Sequence, residues 1–305
     1  MRLPLFWLIF LVSIGSEVVS QTVDNRDVVI NEILFNPPKG GFDYIELYNR
    51  SNKTIDLKEL QIAKRNVTGD ITGMKLLTRT TTLLGSGHYA VITGNEKWLR
   101  QQFEVGDDAV ICMVSSMPTF PDDEGSVVIT GVDTTIIIDE LHYSDKWQFA
   151  LIADPSGVAL ERISTDMDTQ DSNNWTSASS SSGFGTPGYK NTQSSLSVSG
   201  EKQMSIEPAL FSPDNDGQDD YARIKFNMDE PGYMANLTIY DLAGKRVRYL
   251  LKNEYLGSSA QYKWDGLDDN SRALPQGIYL LCAEVFNLKG KTKRFKKMIT
   301  LARRL

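Results

Sequence analysis

The chain has 305 residues, 39 acidic and 32 basic, with a net charge of −7, 41% hydrophobic residues and two cysteines. This is the composition of a globular protein. Its acidic excess argues against a nucleic-acid partner, and two cysteines leave stability to packing, not to a disulfide framework.

Taken in order, residues 1–20 read as a signal peptide. Arg2 supplies the positive end, Leu3 to Ile14 the apolar run, and Val18-Val19-Ser20 a small-residue cleavage site before Gln21. The apolar run is shorter than the ~20 residues a membrane-spanning helix needs, so the expected product is exported, soluble and not transmembrane. No cysteine stands at the cleavage point, which argues against a lipid anchor.

Short β-branched runs then follow: Val28–Leu34, Tyr44–Asn49, His88–Thr93, Asp108–Val114, Ser126–Thr130 and Thr135–Leu141, with Gly, Pro, Asn and Asp between them. Each is the signature of a strand. Only Glu96–Phe103 reads as a helix. Asn173 to Gly200 is poor in large apolar residues, and its second half, from Asn191, is expected to be unable to bury enough surface to fold. A second strand series covers Ala222–Asn227, Ala235–Asp241, Arg246–Leu251, Ala260–Trp264, Gly277–Phe286 and Arg294–Ala302. The cadence predicts sandwiches or barrels with no βαβ unit. The expected division is a first domain over 21–190, a Ser/Gly-rich linker over 191–204 and a second domain over 205–305. Cys112 and Cys282 both sit in apolar strand-like runs and are expected to be buried free thiols. No acidic residue follows Glu284, and eight basic ones (Lys289, Lys291, Lys293, Arg294, Lys296, Lys297, Arg303, Arg304) occupy the last seventeen positions.

The first domain carries INEILFNPPKGGFDYIELYN, then Asp56-Leu57 and Leu60, GSGHYAVIT, LERIS at Leu160–Ser164, Asn174-Trp175 and GTPGYKN at Gly185–Asn191. In this order, over residues 28 to about 190, these motifs resemble the lamin tail domain family. The resemblance implies an immunoglobulin-like sandwich with a structural and interaction role. Trp175 is expected to plug the core, with Pro187-Gly188 turning the chain out. Glu32 and Glu46 face a strand pair, either as hydrogen-bonding groups or as a catalytic carboxylate pair.

Residues 205 to 305 carry FSPDNDGQDDYARIKF, LTIYDLAGKRVRYLL, YKWDG, LPQGIYLL and a basic KRFKKMITLAR ending. This order resembles the immunoglobulin-like domain of flagellar hook-capping proteins and the related C-terminal sorting domains of type IX secretion and gliding-motility proteins. The resemblance implies that the type IX secretion machinery or a surface partner recognises this domain. The gliding-type loop usually reads Pro-Asn-Gly-Asp-Gly, whereas here it is Pro213-Asp214-Asn215-Asp216-Gly217.

That loop continues through Gln218 to Asp219 and Asp220, placing four carboxylates in seven residues. Alternating acidic side chains around a Gly are how calcium loops aim oxygens inward, although the full EF-hand spacing is missing. Carboxylates 4 Å apart repel by ~1 kcal/mol per pair even in water, which a hard cation relieves. Asp214, Asp216 and Asp220 are the expected ligands of a structural calcium; the alternative is a solvated turn. Asp265, Asp268 and Asp269 read as a second acidic turn.

Enzyme signatures fail. There is no HExxH, no Gly-x-Ser-x-Gly and no paired-cysteine zinc pattern. Gly290-Lys291-Thr292 imitates the end of a phosphate loop, but Val285 stands where the first Gly belongs. His88 and His142 are lone strand histidines. The expectation is therefore a non-enzymatic secreted or cell-surface structural and adhesion protein. The alternative is an accessory module for an extracellular carbohydrate or other polymer, with Trp98, Tyr143, Trp147 and Phe149 as the contacting aromatics.

Overall fold

The computed structural model describes residues 22–133, 136–194 and 204–303. The expected signal peptide, most of the expected linker and Arg304 lie outside the described residues.

The first domain runs β1 (Val28–Leu34), β2 (Tyr44–Asn49), β3 (Ile55–Asp56), β4 (Leu60–Arg65), β5 (Ile71–Leu76), β6 (Leu83–Leu84), β7 (Tyr89–Thr93), α1 (Glu96–Gln102), β8 (Val110–Met113), β9 (Glu124–Gly131), β10 (Ile137–Ser144), β11 (Leu160–Arg162) and β12 (Trp175–Ser177). A six-stranded sheet of order β12-β11-β1-β2-β7-β8 faces a four-stranded sheet β10-β9-β4-β5. Between them lies an apolar core in which Ile30, Ile45, Leu47, Leu60, Ile92, Val127, Ile129 and Trp175 are buried.

Strand β1 is buried along its whole length, unlike a sandwich strand with one wet face. The cause is a third layer. On the outer side of the six-stranded sheet, Leu34, Tyr44 and Val91 pack against Leu99 and Phe103 of the α1 region and against Ala178. Helix α1 starts where the Asn95 side chain accepts a hydrogen bond from the Trp98 amide (3.0 Å), and it turns Leu99 inward. The remainder of the layer is the segment Ser179–Ser194. Pro187-Gly188 does not turn the chain out: the Gly106 amide donates to the Pro187 carbonyl (3.0 Å), and the chain runs on across the sheet. Asn191 and Gln193, where the linker was expected to begin, are buried. They bury little apolar area and are held by hydrogen bonds instead.

The second domain runs β13 (Met204–Glu207), β14 (Leu210–Phe211), β15 (Ala222–Asn227), β16 (Tyr233–Asp241), β17 (Arg246–Leu256), β18 (Ser259–Trp264), β19 (Gly277–Asn287) and β20 (Thr292–Leu301). A three-stranded sheet β13-β15-β18 packs on a five-stranded sheet β14-β20-β19-β16-β17. Strand β19 shows why: Tyr279, Leu281, Ala283 and Val285 alternate into the core with Phe226, Leu237 and Trp264. Both domains are β-sandwiches.

The two domains meet at Tyr255. Its ring stacks on Phe149 (centroids 4.3 Å apart), its hydroxyl lies 3.0 Å from the Thr176 hydroxyl, and its carbonyl accepts from the Ser179 and Ser180 hydroxyls at 3.1 Å each. The Ser258 hydroxyl donates to the Thr192 carbonyl at 2.9 Å.

Candidate functional site

Three glutamates share one patch of the covered face. In register, Glu32 of β1 lies opposite Glu46 of β2 on one side and Glu161 of β11 on the other, and all three are fully buried. Each is met by donors of the closing segment. Glu32 accepts from the Tyr44 hydroxyl (2.5 Å) and the Thr186 amide (2.8 Å). Glu46 accepts from Asn31 Nδ2 (2.8 Å) and the Gly188 amide (2.5 Å). Glu161 Oε2 accepts from the Thr192 hydroxyl and the Gln193 amide, both at 2.8 Å.

The Thr186 hydroxyl fixes the protonation. It lies 2.8 Å from Glu32 Oε2 and 2.9 Å from Glu161 Oε1. One hydroxyl carries one hydrogen, so it can donate to only one carboxylate. The second contact needs a carboxyl proton. Burial supplies the reason to keep one: it pushes Glu161 up to about 8, raises Glu32, and raises Glu46 well above the ordinary carboxylate range, with neighbouring glutamate charge adding to the shift of Glu161 and Glu46. The catalytic-pair reading of Glu32 and Glu46 finds no accompanying machinery among the described residues: their partners are backbone amides, hydroxyls and an Asn. Chemically the cluster is a latch that pins residues 186–193 to the sheet.

The acidic loop is brought together as the sequence suggested. Asp214, Asp216 and Asp220 offer carboxylate oxygens within 4.8 Å of one another, a donor set and spacing that fit a hard cation. Backbone amides already engage these groups: Asp220 accepts from the Asn215 (2.5 Å) and Gly217 (2.9 Å) amides, and Asp216 from the Gln218 amide (2.8 Å). Asn215, Gly217 and Asp219 all adopt positive φ, the conformation Asn, Asp and Gly tolerate best. The second acidic group is a turn: Asp268 accepts from the Asn270 and Arg272 amides, Asp265 from that of Leu267.

The basic ending is partly neutralised. Lys289 and Lys291 pair with Glu230 (2.7 Å each), Lys293 with Asp229 (2.8 Å) and Arg294 with Glu284 (2.7 Å). Lys296 and Lys297 are exposed on β20 with no ion pair among the described residues.

The four aromatics expected to contact a polymer do not share a face. Tyr143 is in the core stacked on Phe35, Trp147 packs against that core, Trp98 packs against the α1 layer, and Phe149 is at the domain junction. His88 is exposed, its Nδ1 3.0 Å from the Ser86 carbonyl, and His142 is exposed 3.5 Å from Glu140. Cys112 is buried, Cys282 half-buried, and both are free.

Residues 21–145 match the Lamin Tail Domain model, and residues 205–301 match the CHU_C Type IX secretion signal domain model. The chain carries a lamin tail domain followed by a type IX secretion signal domain. Among curated proteins, none matches it. Solved structures it resembles include FLGD from P. aeruginosa (22% identity, 27% of this chain and 62% of that one, TM-score 0.23). Two more come from Porphyromonas gingivalis. PorZ, described as an essential bacterial surface component of the type IX secretion system, shows 10% identity over 89% of this chain and 38% of that one, TM-score 0.24. Dimeric latent PorU shows 10% identity over 94% and 19%, TM-score 0.26. The chain thus spans less than two thirds of each, and TM-scores this low support no argument.

The secretion signal domain marks the chain for the cell surface or the space outside it. No helix of the described residues is long and apolar enough to cross a membrane. The matched span of the lamin tail domain ends before β11 and β12, so Glu161 and the closing segment lie beyond it. Read as separate motifs, LERIS and GTPGYKN were not joined to Glu32 and Glu46. One signal could have done so: each of the three glutamates stands inside an apolar strand run, VVINEIL, YIELYN and VALERI.

Proposed function

We propose that this protein is a non-catalytic adhesion or structural protein of the cell surface. The secretion signal domain engages the type IX machinery, and the lamin tail domain presents the working surface. The observation that carries this reading is the order of the two domains, a secretion signal behind a sandwich whose buried glutamates are engaged by its own amides and hydroxyls. Residues 201–305 fused behind a periplasmic reporter, in a bacterium with type IX secretion, should carry the reporter outside. A reporter retained inside the envelope would remove the sorting claim.

Calcium at Asp214, Asp216 and Asp220 belongs to the same proposal, as a brace for the entry loop of the secretion signal domain. The support is the closeness of the three carboxylates. The second reading, binding of an extracellular polymer, is favoured by a cavity on the lamin tail domain.

A further inference from the structure

Where the closing segment stops covering the six-stranded sheet, a cavity of about 230 Å³ opens. Its walls include Asn31, Tyr48, Tyr89, Ser164, Lys190 and Asn191. Tyr48 and Tyr89 are register partners on β2 and β7, half-buried, with ring centroids 5.1 Å apart and planes at 38°.

The unused polar groups here point to a ligand. Asn31 is 5% exposed and spends both amide hydrogens inward, on Glu46 (2.8 Å) and on Asn191 Oδ1 (2.7 Å). That fixes its orientation and leaves Oδ1 without a donor among the described residues. Asn31 lines the cavity and its Oδ1 is not sealed from it, so water or a ligand hydroxyl can donate there. The Tyr48 and Tyr89 hydroxyls and the Lys190 ammonium also have no hydrogen bond among the described residues. Arg162, at the back wall, does not offer itself. Its N–H groups go to the Ile30, Ser164 and Met167 carbonyls and to Thr169 (2.8–3.0 Å). Asp166 also lines the cavity and pairs with Arg50 at 2.9 Å, which leaves the Lys190 ammonium as the one cation there not engaged by the protein among the described residues.

Aromatic faces beside an accessible amide oxygen, two phenolic hydroxyls and one amine suit a ligand with apolar C–H faces and hydroxyls that both donate and accept. A sugar ring has that chemistry, with C–H faces to lie on the tyrosines and a hydroxyl hydrogen for Asn31 Oδ1. We propose that this cavity is a subsite for one pyranose unit of a neutral extracellular polysaccharide. This goes beyond the sorting reading and stands independently of it, because it is tested on purified protein.

The test is calorimetric titration of the exported chain with cellotetraose, maltotetraose and chitotetraose at millimolar concentration, with heparin as the anionic control. At least one neutral oligosaccharide should bind, and Tyr48→Ala or Tyr89→Ala should weaken it about three- to tenfold at unchanged stoichiometry. Lys190→Ala, at an exposed position that folding does not depend on, should weaken it about threefold even if the tyrosine variants fold poorly. Three results would each overturn the proposal: no neutral oligosaccharide binds, heparin alone binds, or binding ignores all three substitutions.

Discussion

Glu161→Gln isolates the buried glutamate latch. Glu161 moves from an ordinary value of 4.5 to about 8 in the fold, a change worth about 5 kcal/mol if Glu161 acts alone. The folded state holds this proton where the unfolded chain has released it. Stability is therefore greatest below about pH 4.5 and falls as pH rises through about 8. At roughly 2–4 °C per kcal/mol for a domain of this size, the melting point of the lamin tail domain should drop by about 10–20 °C across that window. Glutamine imitates the protonated acid. Its oxygen can take the Thr192 and Gln193 donors, and its amide can donate to the Thr186 hydroxyl, which then keeps its own hydrogen for Glu32. Thermal melts at pH 5, 7 and 9 should show a flatter pH dependence for Glu161→Gln than for wild type, with the variant the more stable at pH 9. Equal slopes would refute the argument, as would a variant weaker than wild type at pH 9.

Glu161→Ala, by contrast, leaves the Thr192 hydroxyl and the Gln193 amide without an acceptor, while Thr186 keeps Glu32, and should cost about 3 kcal/mol or more at pH 5 in a denaturant titration. Gly188→Ala forces a side chain onto a residue at φ +84°, with its Cβ 2.5 Å from Ala109 Cβ; about 2–4 kcal/mol should be lost by the same measurement. Trp175→Ala opens the core beside Arg162 and should cost about 3–5 kcal/mol. Millimolar calcium should raise the melting point of the secretion signal domain above its value in chelator, and Asp220→Ala should abolish the difference; identical melts for wild type would remove the metal from the account.

The strands with apolar runs or two-residue alternation between turn residues were the legible part of the fold. Tyr44–Asn49 and Ala222–Asn227 have the bounds their sequence predicts, and β19 is longer by one residue. Strands β4 and β5 were not expected. Residues ITGMKL of β5 are mostly exposed and include Gly73, so they show neither alternation nor an apolar run; pairing with β4 makes them a strand. The closing segment shows the larger gap. A stretch of Ser, Thr, Gly, Asn and Gln reads as linker because burial is usually judged by apolar area. Here Asn191 Nδ2 donates to the Asn31 and Arg162 carbonyls at 2.9 Å, and Gln193 Nε2 to the Ser177 carbonyl at 2.9 Å. Such a segment is fixed by acceptors supplied 16 to 160 residues away in sequence, a pairing that register creates and local composition does not record. The acidic cluster was legible because its carboxylates are local in sequence, Asp214 to Asp220.

The most direct measurement compares the full chain with one ending at Ser194, each expressed in a type IX-competent bacterium and in a strain lacking that system, with mass spectrometry of medium, washed cells and periplasm. The account predicts that only the full chain, and only in the competent strain, leaves the periplasm. Equal release of the shortened chain, or release without the secretion system, would contradict it.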